Sequence, residues 1–127
     1  VKEKVTYLYP VFIVGTLTLV SGQTEVAAPD VGISLDKVAH FVVFGALATS
    51  IIRLPVFRDK PSRGFWTALL FSAGFGILDE WHQSTTPGRQ VEVADAVADA
   101  LGALTASSLY RWVFWYRALL EWKPVRV

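Results

Sequence analysis

Four long apolar blocks joined by short polar connections constrain this chain more than any other feature. They cover about residues 5–20, 36–57, 65–83 and 93–116. The apolar residues fall in continuous blocks rather than in the single stripe of a helix lying on a soluble core. Hydrophobic residues make up 53% of the 127, and a soluble domain of that length would need a more polar surface. The blocks are near the length that crosses a bilayer. The pattern predicts an all-α polytopic membrane protein, with four transmembrane helices packed as a compact bundle in a single domain, residues 1–127.

Local signals place the boundaries. Lys2 and Lys4 precede the first block in the manner of a signal peptide, but Val20-Ser21-Gly22 is a poor small-x-small cleavage site. A retained helix is therefore expected. Ser34 or Asp36 can cap the second block, and Pro55 ends or kinks it. Pro87-Gly88 suits a type II turn between the third and fourth blocks. Small residues recur at four-residue spacing: Gly45 and Thr49, Ser72 and Gly76, then Ala98, Gly102 and Ala106. Such residues let helices approach closely in lipid.

Charge sets the orientation. With four crossings, the N-terminus, the 53–63 connection and the C-terminal tail share one side. That side holds all of the 12 Lys and Arg except Lys37 and Arg89. The opposite side collects Glu25, Asp30, Asp36, Asp79, Glu80, Glu92, Asp95 and Asp99. The positive-inside rule makes the basic side, with both termini, cytoplasmic. Trp112, Trp115, Tyr116 and Trp122 would form an aromatic belt there, with Arg111 snorkelling to the same interface. The net charge of +1 suggests no nucleic-acid partner. There is no Cys, which excludes disulfides and thiolate metal sites.

The acidic side carries the chemistry. Asp36-Lys37-x-x-His40 opens the second block, Asp79-Glu80-x-His82-Gln83 closes the third, and Asp95-x-x-x-Asp99 opens the fourth. The topology brings all three to one outer face. Asp36 and His40 share a helix face, as do Asp95 and Asp99, and Glu80 and Gln83. In an apolar bundle those polar edges must point inward or line a wet cavity. Asp36 and Asp95 sit near helix starts, where a carboxylate is stabilised, so both also read as caps. Asp79 and Glu80 sit near a helix end, where negative charge needs an offsetting cation.

Three chemistries fit. One is a divalent metal site, with His40, Glu80 and His82 as ligands. The second is metal-free acid–base work, with Glu80 or His40 as base and Arg89 holding an anion. The third is structural, with Lys37 or Arg89 paired to Asp79 or Glu80 to set helix register. A haem bridged by His40 and His82 is a weaker fourth.

Four of these motifs, in order, resemble the VanZ-like family of small bacterial membrane proteins. They are Asp36-Lys37-Val38-Ala39-His40-Phe41, then Gly76-x-x-Asp79-Glu80-x-His82-Gln83, then Pro87-Gly88-Arg89, then Asp95-x-x-x-Asp99-x-Leu101-Gly102-Ala103. The resemblance covers residues 36 to about 108, and the rest matches in hydropathy alone. The family often has Asn where Asp99 stands. Membership implies a bacterial cytoplasmic-membrane protein of the cell envelope, in some members linked to low-level glycopeptide resistance, to teicoplanin more than vancomycin. On this reading an outward polar pocket handles an anionic lipid-linked or amphiphilic ligand. Arg89 and Lys37 hold the anion, Asp36 belongs to the same ligand-binding set, Asp95 and Asp99 orient the basic groups or a metal, and Glu80, His40, Gln83 and Asp79 do or position the chemistry. An enzyme would be a hydrolase or transferase acting on a lipid head group. The alternative is a non-enzymatic binding or scaffold module.

Overall fold

The computed structural model of the chain describes residues 2–21, 35–85 and 93–121, and every regular element in them is helical. Helix α1 (Lys2–Thr6) and α2 (Leu8–Ser21) occupy the first apolar block. A single predicted span from residue 5 to 20 is thus two helices, broken at Tyr7. The cause is Pro10. It has no N–H to offer the carbonyl four residues back, Thr6, and its ring crowds that carbonyl. Tyr7 N–H instead turns to the carbonyl of Lys4 at 3.2 Å.

Helix α3 (Leu35–Ile52) ends before Pro55 and does not reach residue 57. Leu54, preceding that proline, is extended (φ −62°, ψ 140°), and Pro55–Phe57 form one 3-10 turn. A residue before proline is pushed out of the helical region, so the stop is local chemistry. Helix α4 (Pro61–Gln83) starts four residues earlier than the apolar pattern suggests. Pro61 takes the first helical position, where its missing N–H costs nothing.

Helix α5 (Val93–Trp112) also stops early, at Trp112 rather than residue 116. Val113 is extended and α6 (Phe114–Leu120) follows. Arg117 holds the break: its Nε donates to the Tyr110 carbonyl at 3.0 Å and its Nη2 to the Arg111 carbonyl at 2.8 Å. Those carbonyls belong to the end of α5, where a basic side chain is a natural partner.

Helices α3, α4 and α5 form the central bundle, with α3 and α5 in the most extensive contact and α2 set against α3 and α4. Glycines make this possible. A Cβ on Gly102 would overlap the Phe41 carbonyl, and one on Gly45 would sit 3.3 Å from the Gly102 carbonyl oxygen. The apolar core lies towards one end of the bundle: Phe44, Leu47, Ala48, Ile51 and Ile52 of α3 meet Phe65 and Ala68 of α4 and Ala103 of α5.

Among the described residues, no helix is long and apolar enough to cross a membrane. Helix α2 is apolar but has 14 residues, whereas α4 has 23 and α5 has 20. In those longer helices Asp79 and Glu80, or Asp95, Asp99 and Arg111, interrupt the apolar sequence. The four carboxylates are not on the outside, however. Asp79, Glu80, Asp95 and Asp99 are at most 5% exposed, while Phe12, Leu70, Trp81 and Val93 are 65–74% exposed.

Candidate functional site

At the end of the bundle away from the apolar core, α3 and α5 begin and α4 finishes. Each helix turns a short polar edge inward. On α4, Asp79, Glu80 and Gln83 are buried, and Trp81 and His82 between them are exposed. On α5, Asp95 and Asp99 are one turn apart and both buried. On α3, Lys37 and His40 are half-buried and adjacent on one face.

The pairings are specific. His40 Nδ1 lies 2.7 Å from Asp99 Oδ1, so its N–H donates to that carboxylate. This leaves Nε2 turned to Asp95, 4.0 Å from Oδ2. The imidazole stacks on Phe44, one turn along α3, with ring centroids 6.2 Å apart and 6° between planes. Lys37 Nζ donates to Asp95 Oδ1 at 3.1 Å. Gln83 Nε2 donates to Asp79 Oδ2 at 3.0 Å. Asp95 thus uses one oxygen for lysine and faces the histidine with the other. A nitrogen of His40 and carboxylate oxygens of Glu80 and Asp95 lie within 4.8 Å of one another.

Packing presses Asp99 into place. A Cβ on Gly76 would come 2.7 Å from Asp99 Oδ2 and 2.9 Å from its Cβ. Only glycine at position 76 lets that carboxylate reach His40. Asp99 Oδ2 itself is buried and has no hydrogen-bond partner among the described residues. The charge is unequally placed. Asp95 lies in the first turn of α5, where the helix dipole favours it, and Asp79 and Glu80 lie in the last turns of α4, where the dipole opposes them. A groove of about 520 Å³ between α4 and α5, lined by Ile77, Trp81, Val93 and Val97 among others, reaches Glu80.

Lys37, His40, Asp79, Glu80, Gln83, Asp95 and Asp99 therefore gather at one end of the bundle. His82 does not: it is exposed on the outer side of α4. Asp36 opens α3, but its side chain, like all of Arg89, lies outside the described residues. Ser72 and Ser107, fully buried in the bundle with hydroxyls lacking a hydrogen-bond partner among the described residues, complete the inward polar groups. Ser72 stands out in the sequence only as a small residue, and nothing in the local pattern marks Ser107.

The arrangement suits proton transfer or cation binding. A carboxylate on Nδ1 fixes the tautomer and aim of the imidazole, so that Nε2 can accept a proton or ligate an ion. Residues 4–115 match the family model described as VanZ/LLP1. No curated protein and no solved structure matches the chain.

Proposed function

The chain belongs to the VanZ/LLP1 family over residues 4–115, and from that premise we propose that it is a membrane-embedded protein of the bacterial envelope. Its inward polar cluster handles an anionic, lipid-linked or amphiphilic ligand. The observation that carries this reading is that one end of the bundle turns carboxylates, an imidazole and a carboxamide inward, while large apolar side chains are exposed along the helices. An apolar exterior this extensive needs an apolar surrounding. Helices of 23 and 20 residues, as in α4 and α5, are about 30–35 Å long, matching a hydrocarbon core. Four carboxylates that lower their hydropathy, Asp79, Glu80, Asp95 and Asp99, are buried in the bundle. The exposed hydroxyls of Thr16 and Thr18 each donate to a carbonyl of their own helix at 2.9 Å, which is how a lipid-facing threonine is satisfied.

The site end is the outer face on the charge argument, because the basic residues concentrate at the other end. The groove beside Glu80 has the size and apolarity for a lipid tail whose head group meets the cluster. Lys37, together with Arg89, supplies the cationic contacts for an anionic head group. His40, aimed by Asp99, and Glu80 are the groups placed to move a proton in a hydrolysis or transfer. Glycopeptide protection, stronger for teicoplanin with its lipid tail, is the phenotype this location suggests. A binding or scaffold role is the second reading. It is favoured by the Lys37–Asp95, His40–Asp99 and Gln83–Asp79 pairs, in which the side chains satisfy one another.

The test compares cells expressing the native chain with cells expressing Glu80→Gln at matched membrane levels. Susceptibility to teicoplanin and vancomycin and the envelope lipid profile are read together. Protection or a lipid change given only by the native chain supports the site. Equal effects from both make Glu80 structural and end this reading. A graded loss, tracking ligand affinity, favours the binding module.

A further inference from the structure

We propose that the cluster is a divalent-metal centre, with His40 Nε2, Glu80 and Asp95 as protein ligands and Asp99 as the residue that aims the histidine. The inference deepens the envelope-site reading and rests on it for the ligand, but the metal is bound by the chain's own residues.

The first ground is geometric. The three residues come from three helices, and one ligand atom of each lies within 4.8 Å of the others. His40 Nε2 and Asp95 Oδ2 are 4.0 Å apart. Ligands at about 2.0–2.2 Å from Zn²⁺ or Mn²⁺ stand roughly 3–4.4 Å from one another. Small rotamer adjustments would close the set. The second ground is the aim of the histidine. Its Nδ1 already serves a buried carboxylate at 2.7 Å. That carboxylate–histidine pairing is the usual outer support of a metal-bound imidazole, and it leaves Nε2 as the ligating nitrogen.

The third ground is charge. Asp79, Glu80, Asp95 and Asp99 are all buried here, and Lys37 Nζ reaches one oxygen of Asp95. Asp99 Oδ2, fully buried, has no hydrogen-bond partner among the described residues, while Oδ1 is held by His40. Buried carboxylates are stabilised by hydrogen bonds, by protons or by a cation. One nitrogen and two oxygens suit Mn²⁺ or Zn²⁺, and three protein ligands leave coordination positions for water or for an oxygen of an anionic head group. Lys37 occupies only Oδ1 of Asp95 and leaves Oδ2 for the ion.

The full chain, purified in detergent and stripped with chelator, is titrated separately with Mn²⁺ and Zn²⁺ by calorimetry, with thermal unfolding as a second readout. The expected result is one saturable ion per chain and a raised Tm. Glu80→Gln and Asp95→Asn should each weaken binding by about tenfold or more, and Asp99→Asn by about 10–100-fold as a positioning residue. Exposed His82→Ala should change nothing. Lys37→Ala should bind at least as tightly as the native chain, because a competing cation is gone. Absence of saturable binding overturns the proposal, as does binding that Glu80→Gln and Asp95→Asn leave intact. If those two variants do not fold, His40→Gln decides: saturable binding of unchanged affinity means that the histidine is not a ligand and overturns the proposal. Metal binding and antibiotic protection are read separately. A chain that protects cells without binding metal keeps the envelope reading and loses only the metal.

Discussion

Gly76 and Asp99 show how much a single atom decides in this bundle. The Asp99 carboxylate occupies the space where a Cβ of residue 76 would be, at 2.7 Å from its Oδ2. Gly76→Ala should force Asp99 away from His40 and cost about 1–3 kcal/mol in overpacking, read as a lower Tm in detergent. Gly102→Ala should cost more, because its Cβ meets the backbone carbonyl of Phe41, which cannot rotate aside. Asp99→Asn keeps an oxygen for the His40 N–H and should fold nearly as well as the native chain. Asp99→Ala leaves that buried donor unmet and should lose about 1–3 kcal/mol. Comparing the two variants by thermal unfolding separates the hydrogen bond from the charge.

At the scale of elements, breaks in the helices follow from particular side chains. Pro10 divides the first apolar block at Tyr7 by denying the Thr6 carbonyl its partner. Pro10→Ala should fuse α1 and α2, raising helix content by circular dichroism and protecting the amides near Tyr7 from exchange. No change in either would show that the break has another cause. The proline effects, at residues 10, 55 and 61, are local and readable from the sequence. The stop at Trp112 is different. Val113 is neither proline nor glycine, and the break is held by Arg117 reaching back to Tyr110 and Arg111. The same end carries a further tie, from Arg53 Nε to Glu121 Oε1 at 2.6 Å, between residues far apart in the chain. No short-range pattern announces a contact of that separation.

For the whole molecule, the inward polar cluster and the exposed apolar side chains make one prediction. These 127 residues contain no cysteine, so single cysteines can be placed in them without background. Cysteines at the exposed positions of Leu70, Ile77 and Trp81 should react with lipid-soluble thiol reagents in native membranes and resist water-soluble ones. Ready labelling by water-soluble reagents at all three would remove the membrane reading. A reporter fused after Val127 should be active only on the cytoplasmic side, and activity on the opposite side would reverse the orientation.

What the sequence determined by itself is local or periodic in origin. Continuous apolar blocks implied helices, prolines marked several of their ends, and small residues at four-residue spacing lay where helices meet. Alternation of the helices was enough to send Lys37, His40, Asp79, Glu80, Gln83, Asp95 and Asp99 to one end. Only the tertiary structure decided who meets whom there. His82 lies next to the polar edge in sequence, yet the 100° turn per residue carries it to the outer face of α4. Asp95, readable from sequence as a helix cap, lies between Lys37 and His40 because α3 and α5 approach closely at Gly45 and Gly102. Helix rotation and the distance between axes set those partners. Both depend on how side chains from separate parts of the chain pack, which one-dimensional spacing does not contain.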